Sequence, residues 1–389
     1  MPQLADTVSS TPHSGIRRVA ELARNTPDAI RLDLGDPSFD TPAHICEAAF
    51  AAMKTGDTRY TPSGGFASLR AALAEKVLAR NGFAPEPAQI VATAGGCGGL
   101  FTSFLTLLDP GDEVLLPDPG WPNFRAMVHV LNGKSVGYPI DLENGTVDPA
   151  AVEERITERT KVLLVNSPSN PTGVVLGPDQ LAALAEIAAR HDLWLISDEC
   201  YDELVFDSAH TSLATVAPPE RTITIFSFSK TYAMTGWRLG YVVGPPSFAD
   251  ELVKSQEPVH GNASSISQRA AEAALAGDHG VVDEMRAAYR ARRDLAVDLL
   301  SGAGIAHSIP GGAFYTMVDV SPLGSSSDAA TTLLEQDKVA VVPGAAFGPG
   351  GEGWARVSLS CSDDALRTGL ARIVSRLGAA KTSTTEVAR

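Results

Sequence analysis

A chain of 389 residues exceeds the size at which a single hydrophobic core usually stops growing, so two lobes around a substantial interior are expected. With 44% hydrophobic and 20% charged residues it falls among ordinary globular proteins. A formal charge of -15, with no lysine- or arginine-rich block, argues against nucleic acid and anionic membrane surfaces as partners, so any anionic ligand must be held by a few local cations.

In chain order, the start Met1-Pro2-Gln3-Leu4-Ala5-Asp6 lacks a basic segment followed by an apolar one, and no apolar run approaches the ~20 residues of a membrane span. Neither secretion nor membrane spanning is expected. The β-like run 89–92 leads into the glycine-rich turn Thr93-Ala94-Gly95-Gly96-Cys97-Gly98-Gly99-Leu100 and then an apolar helix. Strands are predicted over 113–116, 162–166, 193–197 and 222–227, and 180–190 reads as a crossover helix. This alternation predicts an α/β fold with a mainly parallel sheet covered by helices. Ligands collect at the carboxyl ends of such strands, which places Asn170, Asp198 and Lys230 where a site belongs. A long charged helix over 282–300 marks the passage into a smaller domain with its own short strands, and the glycine clusters 302–304 and 348–353 read as turns. Cys46, Cys97, Cys200 and Cys361 are widely spaced with no C-x-x-C pair, which fits a reduced cytoplasmic setting without structural zinc.

Lys230 lies in Ser227-Phe228-Ser229-Lys230-Thr231-Tyr232-Ala233-Met234-Thr235-Gly236-Trp237-Arg238-Leu239-Gly240-Tyr241. A lysine nucleophile works best where nearby positive charge lowers its pKa, and Arg238 beside a phosphate-bearing ligand would make such a place. The competing reading is a solvent lysine after a buried strand. Five further stretches follow the same order: Leu34-Gly35-Asp36-Pro37-Ser38-Phe39-Asp40-Thr41-Pro42, Tyr60-Thr61-Pro62-Ser63-Gly64-Gly65, Asn170-Pro171-Thr172-Gly173, Asp198-Glu199-Cys200-Tyr201 and Arg356-Val357-Ser358-Leu359-Ser360. Together these runs resemble the class I/II aminotransferases, the pyridoxal 5′-phosphate (PLP) enzymes of fold type I related to aspartate aminotransferase.

The resemblance implies a large domain whose mainly parallel seven-stranded sheet lies between helices, plus a smaller α+β domain. It divides the chain into an N-terminal arm joining the small domain (1–45), a PLP-binding domain (46–284) and a small C-terminal domain (285–389). It also implies an aminotransferase that moves an amino group between an L-α-amino acid and a 2-oxo acid, with PLP held on Lys230 as an aldimine. Asp198 then faces the ring nitrogen and keeps it protonated, Tyr201 faces the ring oxygen, and Glu199 is expected in solvent. Gly95, Gly96 and Cys97 inherit the phosphate turn, completed by Ser227, Ser229 and Arg238. Cys97 and Gly98-Gly99 depart from the family's usual polar side chain and helix formers, and Cys97 also reads simply as a small packed residue. Trp121 matches the aromatic stacked on the ring, against the alternative of a core tryptophan. Asn170, with a cis bond expected before Pro171, bonds ring oxygen and substrate. Arg356 matches the α-carboxylate anchor, and Gly35 the backbone closing over the substrate. Tyr60 matches the tyrosine reaching a neighbouring subunit's cofactor, so a homodimer with shared sites is expected. Specificity is expected to lie in loops and near Ser14-Gly15-Ile16-Arg17. Two rivals are a PLP β-lyase on the same fold and a ligand-sensing regulator, which would carry a DNA-binding module ahead of residue 34.

Overall fold

Strand β1 (Ile30–Arg31) precedes the strands of the principal sheet, which are β2 (Ile90–Thr93), β3 (Glu113–Asp118), β4 (Lys134–Pro139), β5 (Thr160–Asn166), β6 (Trp194–Asp198), β7 (Thr222–Ser227) and β8 (Gly240–Val243). The computed structural model describes residues 3–11 and 14–387. The seven strands lie in the order β2-β8-β7-β6-β5-β3-β4, and β8 alone runs against its neighbours. This is the mainly parallel seven-stranded sheet implied by the resemblance. β3 extends beyond its predicted end, through Pro117 to Asp118, alongside β4 after its pairing with β5 has ended at Leu115.

Alternating residues of β5 explain why the sheet is covered on both faces. Val162 and Leu164 enter one core with Leu100 and Phe104 of the helix Gly95–Leu107. Leu163 and Val165 enter another with Leu181, Leu184 and Ile187 of the helix Pro178–Arg190. Each such side chain removed from water is worth about 1.5–3 kcal/mol, so a shift of one residue in β5 register would be costly on both sides.

After the helix Gly280–Gly302 come β9 (Tyr315–Asp319), β10 (Val339–Ala340), β11 (Val342–Pro343) and β12 (Trp354–Ser358). β9, β11 and β12 make a three-stranded antiparallel sheet, while β10 pairs in parallel with β1. Beyond β1 the chain continues against this region: the Leu32 N–H donates to the Ala340 carbonyl at 3.0 Å and the Ser358 N–H to the Leu32 carbonyl at 2.8 Å. The segment carrying Asp33, Gly35 and Asp36 is thereby tied to the strand that carries Arg356.

Register brings Asn166 opposite Asp198 at the ends of β5 and β6, while β7 ends on Ser227, paired with Gly240 at the start of β8. The carboxyl ends of the parallel strands form one edge, and the β9–β12 region brings Tyr315 and Arg356 to it. No helix among the described residues is long and apolar enough to cross a membrane.

Candidate active site

A cavity of about 350 Å³ opens along that edge. Lys230 lines it from a one-turn helix, Phe228–Thr231, whose start is held by the Ser227 hydroxyl accepting the Ser229 N–H at 3.2 Å. Its Nζ donates to the Gly35 carbonyl at 2.7 Å, so Lys230 is not the solvent lysine of the competing reading. The amine's pKa is lowered. Burial is the largest cause, Cys200 and Asp36 oppose it, and the positive charges of Arg356 and Arg238 add smaller contributions. Arg238 thus acts in the expected direction, and lost hydration is the larger cause.

Asp198 closes β6 with 4% of its surface exposed. Burial pushes its carboxyl up to about 6, although the Cys200 N–H donates to it at 3.2 Å. Asn166 braces this strand end, donating to the Asp198 carbonyl at 3.1 Å and accepting the Asn170 N–H at 3.0 Å. The Tyr201 hydroxyl lies 3.1 Å from that of Tyr315, and burial raises both phenols. Glu199 overturns its expectation. It is 1% exposed and accepts from Ser197 Oγ (2.8 Å), Ser212 Oγ (2.9 Å) and the Leu213 N–H (3.1 Å), with His210 Nε2 at 2.8 Å. The reason is geometric: successive side chains leave a strand end on opposite sides, and donors await this carboxylate on the side away from the cavity.

The turn after β2 starts the helix Gly95–Leu107, whose first N–H groups receive no side-chain cap. Gly96 and Cys97 line the cavity, whereas Gly95 does not. Gly95 has φ 76°, and a Cβ there would come within 2.6 Å of Arg238 Nη2, so the missing side chain makes room for the guanidinium. Arg238 is itself left-handed at φ 54°, and its Nη1 donates to the Thr235 carbonyl at 2.8 Å. Ser227, Ser229 and Arg238, the residues expected to complete a phosphate clamp, also line the cavity. Burial raises the Cys97 thiol. Trp121 also lines the cavity, braced edge-on by Phe124 with ring centroids 5.3 Å apart.

Arg356, in β12, is 1% exposed, which removes the alternative of an exposed strand-end arginine. Its Nη1 donates to Asn170 Oδ1 at 3.0 Å and its Nη2 to the Asp33 carbonyl at 2.8 Å, while the guanidinium lies 4.3 Å over the Tyr315 ring. Its Nε is buried without an acceptor, and leaving a donor so costs about 1–3 kcal/mol. The Asn170–Pro171 bond is cis. Tyr60, 96% exposed, takes no part in this chain's own cavity.

Asp36, Leu100, Asn166, Cys200, Thr235 and Tyr315 are wall residues to which the sequence assigned no role of their own. Asn166 carried a signal, as the polar end of a predicted strand. Tyr315 carried none, because its strand reaches the site only through the packing of the second sheet. Among the described residues no cluster of three His, Cys, Asp or Glu side chains is placed to hold a metal ion.

The residues fit PLP on the structure's own terms. A buried carboxyl without a cationic partner suits a protonated ring nitrogen, an uncapped helix start beside an arginine suits a phosphate, and a partly shielded amine suits an aldehyde. Comparison with known proteins gives the family. Residues 27–373 match the family model for aminotransferase class I and II. An aspartate/prephenate aminotransferase of Thermus thermophilus is 40% identical over 367 residues, 93% of this chain and 94% of that protein. An aspartate aminotransferase of Pyrococcus horikoshii is 38% identical over 95% of this chain and 96% of its own length. The solved structure of aspartate aminotransferase from Thermus thermophilus with maleate superposes with a TM-score of 0.92 at 39% identity, covering 97% of this chain and 100% of that one.

Proposed function

The chain belongs to the class I and II aminotransferases and transfers amino groups, and from that premise we propose that it uses PLP held at Lys230 to exchange the amino group of an L-α-amino acid with a 2-oxo acid. The observation that carries the reading is the convergence of Lys230, Asp198 and Arg356 on one cavity. When bound, the protonated pyridine ring supplies an electron sink for the charge left on the substrate α-carbon. Asp198 holds the proton on the ring nitrogen, and Tyr201 and Asn170 serve the ring oxygen. Gly96, Cys97, Ser227, Ser229 and Arg238 hold the phosphate, with Gly95 making room for Arg238, and Trp121 faces the ring. Arg356 binds the α-carboxylate common to donor and acceptor, its unpaired Nε gaining an acceptor when it does so. Lys230, less basic than an ordinary lysine, takes the α-proton on Nζ and returns it on the far side of the transfer. Gly35, whose carbonyl receives Nζ in this structure, closes over the substrate.

Two further parts of the reading concern the whole protein. The exposure of Tyr60 supports its use in the site of a second copy, within a homodimer. Four free cysteines support a reducing, cytoplasmic setting.

Reduction with borohydride tests the central assignment. The purified protein is expected to be yellow, and the treated protein to carry a pyridoxyl group on Lys230 by peptide mass spectrometry. An adduct on Lys254, or on no lysine, rejects it. Stoichiometric ammonia and pyruvate in place of amino-group exchange would make the enzyme a β-lyase.

A further inference from the structure

We propose that this enzyme reads its substrate through an apolar side-chain subsite formed by Ile16, Leu100, Cys97 and Trp121, and that it prefers amino acids with uncharged, apolar side chains to dicarboxylic ones. The inference rests on the aminotransferase reading and names the substrate class of the same cavity. The relatives' names point to aspartate, so the chain's own wall is the ground for departing from them.

The decisive observation is the charge the wall carries. Among the described residues it holds three cations, Lys230, Arg238 and Arg356, and two carboxylates, Asp36 and Asp198. All three cations are already engaged, since Lys230 holds the cofactor, Arg238 its phosphate and Arg356 the substrate's α-carboxylate. None remains for a second carboxylate on the substrate. Asp36 lies close enough for its charge to act on Lys230, so its field opposes a further anion in the cavity. A carboxylate brought out of water without a cationic partner loses much of its hydration for little return.

What remains of the wall rewards apolar surface. Ile16 comes from the helix Gly15–Arg24 of the N-terminal arm, Leu100 from the helix after the phosphate turn, and the Cys97 thiol is held protonated by burial. Each methylene buried there is worth about four-fold in binding. Arg17, beside Ile16, does not line the cavity. It is exposed, and its charge is the weakest of the named influences on the Cys97 thiol.

Single-turnover conversion of the PLP-loaded enzyme, followed by cofactor absorbance, tests this with aspartate, glutamate, alanine, leucine, methionine and phenylalanine. The best of the last three is expected to exceed aspartate and glutamate at least ~tenfold in kcat/KM, and to exceed alanine as well. Ile16→Lys, which adds a cation to the subsite, is expected to raise aspartate relative to leucine at least ~tenfold with PLP content unchanged. Aspartate or glutamate matching leucine in the wild type overturns the proposal. An unchanged ratio in Ile16→Lys overturns the placement of the subsite. If PLP is bound but no amino acid yields its 2-oxo acid, the aminotransferase reading itself falls and takes this one with it.

Discussion

Asp198 ends a buried strand at a place where its charge has no cationic partner, and its pKa of about 6, against an ordinary 3.8, follows from that. Between those two values the folded chain keeps a proton that the unfolded chain has released. Stability of the cofactor-free protein from this group therefore falls as pH rises from about 4 to about 6 and is flat above. The cost at neutral pH is about 3 kcal/mol. Asp198→Asn is expected to stabilise the cofactor-free protein by up to that amount near pH 7.5, with the difference shrinking to nothing toward pH 4, as read by urea unfolding. An equal gain at both pH values would mean that packing, not charge, is responsible. In the loaded enzyme the same change should lower turnover by ~100-fold or more, since a neutral amide does not hold the ring proton. That opposition between stability and activity is expected of a group placed for its ligand. Asp198 was legible as a site residue because it followed an apolar strand, whereas burial of Glu199 was not, since its partners Ser212 and His210 are brought to it by the return of the chain.

One element that depends on close approach is the glycine-rich turn after β2, where the start of β8 passes the start of the helix Gly95–Leu107. A Cβ on Gly240 would lie 2.6 Å from the Gly96 nitrogen and 2.7 Å from both the Gly95 carbonyl carbon and the Phe226 oxygen, all of them backbone. Backbone cannot step aside as a side-chain tip can. Gly240→Ala is expected to cost about 1–3 kcal/mol of stability and to weaken PLP binding at least ~tenfold by equilibrium titration. Unaltered PLP affinity would show that this turn does not hold the phosphate. Gly177→Ala is the control, because a Cβ there meets nothing within 4 Å, and it should leave affinity unmoved.

At the scale of the whole molecule two proposals remain open to direct test. The division at residues 45 and 284 places its second boundary inside the helix Gly280–Gly302, so this helix would join the two domains rather than end one. The shared site can be tested by complementation. Lys230→Ala and Tyr60→Ala homodimers, each weak alone, are mixed and allowed to exchange subunits. A hybrid then contains one site with both an intact Lys230 and an intact Tyr60 from the other copy, and activity is expected to return. No recovery after exchange, or a monomer with undiminished PLP affinity, rejects a site built from two copies.

Local pattern was enough for much of this protein. Apolar runs ending on Asn166, Ser197 and Ser227 marked parallel strands and, with them, the edge where a ligand belongs, because strand period and burial are properties of a few consecutive residues. The motifs around Gly35, Lys230 and Arg356 pointed to the chemistry through their resemblance to the class I/II aminotransferases. Other features belonged to the tertiary structure. Arg356 and Tyr315 meet the Lys230 region across more than eighty residues of chain, Ile16 arrives from the N-terminal arm, and the balance of charge in the cavity exists only once these walls are assembled. Shifts such as those of Asp198 and Lys230 are likewise decided by how much water the assembled walls remove, which no stretch of sequence carries by itself.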